Sequence, residues 1–107
     1  MTTNAHELLQ ATRDARGVVT LTLNDPARFN ALGAEMLSAL QQALDDAGRD
    51  ESVRVVVLEA EGASFSAGAD LNWMRGMAAA SEAENREDSL ALARLMRTLD
   101  ELPKPTI

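Results

Sequence analysis

Cysteine is absent from the 107-residue chain, and histidine occurs once, as His6. The absence of cysteine excludes disulfide scaffolds, cysteine-based metal sites and thiol catalysis from these residues. A Ser-His-Asp triad would depend on a side chain close to the N-terminus, so we assign His6 no role. The chemistry of this sequence must therefore be sought in other residue types and in the backbone.

Basic charge is scarce as well, since 10 basic residues stand against 17 acidic ones and give a formal net charge of −7. Lysine is nearly absent, and the arginines are scattered along the chain. Such a distribution lacks the basic patch that binds nucleic acid or an anionic membrane, so we expect neither as a partner. An acidic cluster is interpreted as the solvated start of a helix and not as a metal site: Glu82, Glu84, Glu87 and Asp88. We predict no metal.

Long apolar runs are missing too: none approaches the roughly 18 residues of a membrane span. Residues 1–5 lack the charged and then apolar pattern of a signal peptide. These absences predict a soluble, cytoplasmic protein. With 46% hydrophobic and 25% charged residues, the composition is that of one small domain with a core. Because residues 102–107 resemble a linker that enters a strand and stops, we expect the chain to be the N-terminal segment of a longer domain.

Hydrophobic periodicity predicts an α/β fold in the order β-β-α-β-loop-α-α, followed by the start of another strand. The predicted strands span residues 8–12, 18–23 and 53–58, and the first two form a hairpin. The third is almost continuously β-branched, which indicates a parallel strand covered on both faces. The predicted helices span residues 34–47 with Gly48 as the cap, residues 70–77, and a longer segment that begins at Ser81. Repetition of two strands and a helix would stack as a spiral of ββα turns.

The segment Phe-Ser-Ala-Gly-Ala-Asp-Leu at residues 65–71 is the most informative part of the chain. It connects a predicted strand to a predicted helix, and its small residues let the backbone approach a ligand closely. At such a junction, free N–H groups point outward at the positive end of the helix dipole. This arrangement favours an oxygen that gains negative charge, as in an oxyanion hole.

Three segments, in this order, resemble the N-terminal part of the crotonase superfamily, which includes enoyl-CoA hydratases and isomerases. They are Leu-Asn-Asp-Pro-Ala-Arg-Phe-Asn-Ala-Leu at residues 23–32, the segment at residues 65–71, and Leu-Pro-Lys-Pro-Thr-Ile at residues 102–107. The resemblance spans roughly residues 8–107. It implies a crotonase-like spiral of ββα units and a chemistry in which a thioester enolate is stabilised.

The resemblance also implies roles for particular residues. The backbone N–H of Ala69 would be one of two donors to the thioester oxygen, and the second donor would come from a glycine-rich segment beyond residue 107. Ala27 and Phe29 would line the coenzyme A side, and Arg28 would approach a coenzyme A phosphate. The remaining substrate contacts would come from the second segment: Ala67, Gly68, Ala69, Asp70 and Leu71.

The expected reaction is the addition of water across the α,β-double bond of an acyl-CoA thioester. Its acid and base would be two glutamates beyond residue 107, because Glu59, Glu61 and Glu84 do not match their positions. Alternatives within the superfamily are isomerase, hydrolase, decarboxylase or dehalogenase chemistry, and outside it a non-catalytic acyl-CoA-binding or assembly protein. No separate cofactor is expected, since coenzyme A is part of the substrate. The resemblance further implies a trimer or hexamer.

A finer resemblance, at residues 70–74 and 96–103, is to hydratases that act on branched glutaconyl-CoA thioesters such as methylglutaconyl-CoA in leucine breakdown. Simpler interpretations stand beside these assignments. Asp70 is interpreted as an N-cap more readily than as a catalytic group, and Asn30 as a residue that orders the turn before the helix. Arg28 suits a solvated loop equally well, and Trp73 and Met74 suit a core or a subunit interface.

Overall fold

A three-stranded sheet forms the centre of the structure, a computed structural model that describes residues 7–107. His6 and residues 1–5 lie outside the described residues. The strands are β1 (Leu9–Arg13), β2 (Val18–Leu23) and β3 (Val55–Ala60), arranged in that order. β1 and β2 are antiparallel, whereas β2 and β3 are parallel. A parallel pair needs a crossover connection, and helix α1 (Ala34–Arg49) lies in that connection.

The predicted hairpin between β1 and β2 is confirmed, with a turn at Asp14 and Gly17. The Asp14 N–H donates to the Val18 carbonyl at 3.1 Å, and the Gly17 N–H donates to the Asp14 carbonyl at 3.2 Å. Gly17 has a φ of +83°, and a Cβ there would collide with the carbonyl of Ser52. Glycine is therefore required both by the left-handed turn and by the close approach of the chain that enters β3.

Helix α1 packs its apolar stripe against the sheet, as its periodicity predicts. All five residues of the predicted stripe are buried: Met36, Leu37, Leu40, Leu44 and Ala47. The remaining buried apolar residues come from the strands, from the chain before β3 and from the last helix: Leu9, Leu21, Leu23, Val53, Val56 and Leu95. The core thus lies between the sheet, α1 and one face of that last helix.

The prediction that Gly48 caps α1 is wrong. The helix continues through Arg49, and the cap residue is Asp50, which has an extended backbone. The absence of a side chain at Gly48 instead lets Leu102 pack closely, because a Cβ at Gly48 would lie 3.1 Å from Leu102 Cδ1. The free carbonyls at the end of α1 are bound by Lys104, whose Nζ donates to Ala47 O at 2.7 Å and also to Asp50 O. A cation at this end also complements the helix dipole.

Two further helices follow the sheet, α2 (Leu71–Ala79) and α3 (Glu82–Glu101). The predicted N-caps are confirmed: Asp70 Oδ1 accepts the Trp73 N–H at 3.0 Å, and Ser81 Oγ accepts the Glu84 N–H at 3.2 Å. α2 ends later than predicted, since it extends through Ala78 and Ala79.

The strand β3 and its neighbours differ in part from the prediction. The parallel pairing is confirmed, but only Val56 is buried among its residues. The predicted coverage of both faces is therefore incomplete within residues 7–107. Thr106 forms a parallel bridge with Val56, and Leu58 N donates to Ile107 O at 2.8 Å. A fourth strand thus begins beside β3, as predicted. Within the described range, no helix combines the length and apolarity that a membrane span needs.

A buried asparagine ties together two loops, which we call the first loop (residues 24–33) and the second loop (residues 61–70). Asn30 is fully buried. Its Oδ1 accepts the Asp25 N–H at 2.7 Å within the first loop. Its Nδ2 donates across to the carbonyls of Glu61 and Ser64 in the second loop, at 2.8 and 2.9 Å. The sequence predicted a role for Asn30 in its own turn, and the structure adds the connection to the second loop.

We expect Asn30→Ala to lower the free energy of unfolding by about 3 kcal/mol, because it leaves buried backbone groups without hydrogen-bond partners. Urea unfolding of the full-length protein measures this change. Asn72→Ala is the matched control, since Asn72 is exposed on α2. Equal unfolding midpoints for Asn30→Ala and Asn72→Ala would contradict a stabilising role for the hydrogen bonds from Asn30 to the second loop.

The carboxylate that follows α1 is held by hydrogen bonds from two segments. Asp50 accepts the Ser52 hydroxyl at 2.6 Å and the Ser52 N–H at 2.9 Å, and Arg13 Nη1 donates to it at 2.9 Å. These bonds, with the Ser52 hydroxyl contributing most, and the nearby Arg13 charge lower the pKa of Asp50 from 3.8 to about 2. The ionised form is therefore preferred more strongly in the folded protein than in the unfolded chain.

Since the pKa of Asp50 is depressed by folding, its carboxylate stabilises the protein above pH 3.8, and this contribution disappears as the pH falls toward 2. Above pH 3.8, we expect Asp50→Asn to have a lower free energy of unfolding than the parent. As the pH falls from 3.8 to about 2, the free energy of unfolding should fall less for Asp50→Asn than for the parent. Thermal unfolding across the window measures the difference. Asp100→Asn, at an exposed position on α3, serves as the control and should follow the parent profile.

Candidate functional site

The candidate site is built where the two loops lie side by side. The Ala67 N–H donates to Phe29 O at 2.9 Å, the Leu32 N–H to Gly68 O at 2.7 Å, and the Asp70 N–H to Leu32 O at 2.8 Å. The last two bonds bracket Ala69 and give a parallel bridge between Leu32 and Ala69. Two of the three sequence segments that carry the family resemblance are thus joined by hydrogen bonds.

The first loop reaches this pairing through an unusual backbone. A 3-10 helix, Pro26–Arg28, is followed by Phe29 and Asn30, which both have a φ of +54°. Asparagine tolerates the left-handed region, whereas phenylalanine adopts it rarely. Burial of Asn30 and its three hydrogen bonds hold this conformation, which leaves the Phe29 carbonyl directed at Ala67.

The peptide unit between Gly68 and Ala69 has a defined orientation. No cis peptide bond occurs among the described residues, so the carbonyl and N–H of this unit point in opposite directions. The Gly68 carbonyl points at Leu32 N. The Ala69 N–H therefore points away from the first loop, and it makes no hydrogen bond to any group within residues 7–107.

The neighbours of Ala69 along the second loop have their amides occupied. Gly68 N donates to the Ser66 hydroxyl at 3.1 Å, and the N–H groups of Ala67 and Asp70 are taken by the first loop. Ala69 is itself exposed. Among residues 67–70, the Ala69 N–H is therefore the unpaired backbone donor, and it lies at an open surface immediately before the N-cap of α2.

The structure places the eight predicted site residues on this one surface. Ala27, Arg28 and Phe29 are exposed on the first loop, and Phe29 is 62% exposed. The other five belong to the second loop and the start of α2: Ala67, Gly68, Ala69, Asp70 and Leu71. Asp70 is half-buried and caps α2, as its simpler interpretation expected.

Charged and apolar groups flank the unpaired amide. Arg28 is exposed, and its guanidinium forms no ion pair or hydrogen bond with another described residue. It lines a cavity of about 510 Å³ whose other walls include Asp70 and Trp73. Several large apolar side chains lie open to solvent, on the second loop and α2: Phe65 (56%), Leu71 (68%) and Met74 (50%).

Trp73 is half-buried and packs against the core, which favours its simpler interpretation as a core residue. Glu59 accepts the Thr22 hydroxyl at 3.0 Å, and Glu61 and Glu84 are exposed. Among residues 7–107, no group of three or more His, Cys, Asp or Glu side chains could hold a metal ion.

Sequence reasoning missed one side chain of the site, Ser66. Its hydroxyl donates to Asn30 O at 2.8 Å and accepts the Gly68 N–H. The spacing Ser-x-Gly was the available signal, because serine hydroxyls commonly bind the backbone N–H two residues onward.

Comparison with known proteins identifies the family. Residues 13–107 match the family model described as enoyl-CoA hydratase/isomerase. The crystal structure of an enoyl-CoA hydratase from Shewanella pealeana is similar, with a TM-score of 0.88 and 41% identity, and the match covers 94% of this chain and 37% of that one. An enoyl-CoA hydratase of Mycobacterium smegmatis gives a TM-score of 0.87 and 46% identity, covering 94% and 38% of the two chains.

A curated relative from Escherichia coli, a 1,2-epoxyphenylacetyl-CoA isomerase, is 38% identical over 94 residues, which are 86% of this chain and 36% of the relative. The chain thus spans little more than a third of the length of these relatives. Both the α/β architecture and the superfamily that the sequence predicted are confirmed. The chain belongs to the enoyl-CoA hydratase/isomerase family, within the crotonase superfamily.

Proposed function

We propose that the complete protein is an enoyl-CoA hydratase, which adds water across the α,β-double bond of an acyl-CoA thioester. One observation carries the proposal: the Ala69 N–H is unpaired, exposed and oriented by the hydrogen bond on the other side of its peptide unit. A preorganised donor of this kind is what an oxyanion requires.

The proposed mechanism begins with attack of a water oxygen on the β-carbon. The π electrons move toward the thioester, and negative charge develops on its carbonyl oxygen. The Ala69 N–H donates to that oxygen, and such a donor lowers the barrier by about 3 kcal/mol in a water-excluded site. The attacking water loses a proton to a base, and protonation of the α-carbon by an acid completes the addition.

Water activation and protonation need an acid and a base with suitable pKa values. Glu59, Glu61 and Glu84 belong to β3, the start of the second loop and α3, and they do not match the positions at which the family carries its acid and base. We therefore assign the acid, the base and the second oxyanion donor to parts of the complete protein outside this chain. A branched glutaconyl-CoA thioester is the proposed substrate, and a trimer or hexamer the proposed assembly.

Isomerase chemistry is the second candidate, because the Escherichia coli relative carries an isomerase name. An isomerase would use the same donor for the same developing charge and would differ in the groups that move the proton. Incubation of the full-length protein with a 3-enoyl-CoA and with crotonyl-CoA separates the two reactions by their products. Binding of both thioesters without turnover would instead indicate a non-catalytic acyl-CoA-binding protein.

We expect Ala69→Pro in the full-length protein to lower kcat for crotonyl-CoA hydration by about 100- to 1,000-fold, since proline removes the proposed donor. No internal hydrogen bond is lost, because the Ala69 N–H makes none with the described residues. Ala69→Gly keeps the N–H and serves as the control. Equal turnover by two variants with equal melting temperatures would refute the assignment.

Arg28→Gln should raise the KM for crotonyl-CoA about fivefold if the free guanidinium binds a coenzyme A phosphate. The effect should shrink as salt is added. The KM for crotonyl-pantetheine, which has no nucleotide phosphates, should not change. Arg54→Gln is the control, since the exposed Arg54 precedes β3 at the end of the strand away from the second loop. An equal rise in the KM of Arg28→Gln for crotonyl-CoA and for crotonyl-pantetheine would contradict the phosphate contact.

A further inference from the structure

The Ser66 side chain makes two hydrogen bonds at the centre of the paired loops. Its hydroxyl donates to Asn30 O at 2.8 Å and accepts the Gly68 N–H at 3.1 Å. Ser66 is only half-buried. Both bonds are to backbone groups, so this hydroxyl connects the first loop to the peptide that precedes Gly68.

Hydrogen bonds hold the backbone of Gly68 in place. Its φ is +87°, and no atom lies within 4 Å of the position that a Cβ would occupy. Glycine reaches both halves of the φ range at similar energy, so the residue type alone does not select this conformation. The restraints on Gly68 are the hydrogen bond from its N–H to Ser66 and the one that its carbonyl accepts from Leu32.

The orientation of Gly68 determines where the Ala69 N–H points, because its carbonyl and that N–H belong to one planar unit. The Ser66 hydroxyl also occupies the Gly68 N–H, which would otherwise be a second free donor one residue away. Ser66 thus has two effects: it restrains the peptide backbone at Gly68, and it leaves Ala69 as the unpaired donor among residues 67–70.

We propose that Ser66 is a positioning residue, which orients the Ala69 amide toward the thioester oxygen and suppresses competition from the Gly68 amide. This inference rests on the proposed function, in which the Ala69 N–H stabilises an enolate. Ser66 itself contacts no substrate in this account, and it acts only through the backbone of Gly68.

Ser66→Ala in the full-length protein tests the proposal. We expect kcat for crotonyl-CoA hydration to fall about 10- to 100-fold, as small displacements of a catalytic group do, while the KM stays within about twofold. The enolate of bound acetoacetyl-CoA absorbs in the near ultraviolet and provides a second readout. It should form at a higher pH in Ser66→Ala than in the parent, because the oxyanion is less well stabilised. A purely structural role would leave the ionisation of this ligand unchanged.

Ser64→Ala is the matched control, because Ser64 is exposed in the same loop and contributes only its backbone carbonyl to the contacts described. Ser66→Thr retains the hydroxyl and should recover most of the parent kcat, whereas Ser66→Cys, with a weaker donor, should not. Comparison of kcat between Ser66→Thr and Ser66→Cys tests the positioning role of Ser66 even where Ser66→Ala folds poorly. Equal kcat and equal enolate ionisation in Ser66→Ala and Ser64→Ala would overturn the positioning role while the hydratase assignment stands. A parent protein that neither hydrates crotonyl-CoA nor ionises acetoacetyl-CoA would overturn both.

Discussion

Backbone hydrogen bonds between the two loops are the interaction on which the site depends. Residues 29–32 and 67–70 pair through three of them, and the buried Asn30 adds two from its side chain. Leu32 of the first loop also packs against the core. These bonds occupy the N–H groups of Ala67 and Asp70, and the Ala69 N–H between them stays unpaired. The site thus results from the hydrogen bonds around Ala69, which occupy the neighbouring amides and leave the Ala69 N–H unpaired.

The backbone strain at Phe29 fits this arrangement. A non-glycine residue in the left-handed region is disfavoured by about 1 to 2 kcal/mol, and Phe29 is followed by a second such residue, Asn30. The conformation turns the Phe29 carbonyl toward Ala67 and leaves the aromatic ring in solvent. Strain of this kind persists where several interactions fix the same backbone conformation. At this position the hydrogen bonds of the Asn30 side chain provide those interactions.

Sequence patterns predicted the parts of the fold that depend on local periodicity. The buried stripe of α1, the hairpin at Gly17 and the caps at Asp70 and Ser81 follow from spacing alone. The extension of α1 past Gly48 did not, because the space left by that glycine is filled by Leu102, far along the chain. The resemblance indicated Ala69, but the amides of Ala67 and Asp70 on either side of it pair with a distant segment, the first loop. The Ser-x-Gly spacing indicates the bond from Gly68 N–H to Ser66, but no local pattern contains the bond from Ser66 to Asn30 O.

A main-chain donor differs from a histidine or a lysine in that it has no proton to gain or lose at any pH where the protein stays folded. With Ala69 in its proposed role, the electrostatic part of catalysis would remain constant across the acid and alkaline limbs of a rate profile. Any bell shape in such a profile would then describe the proton-transferring groups alone. The side chain at this position would also be free to vary over evolutionary time within the limits of its size, since replacement of one amino acid by another, proline excepted, leaves the amide in place.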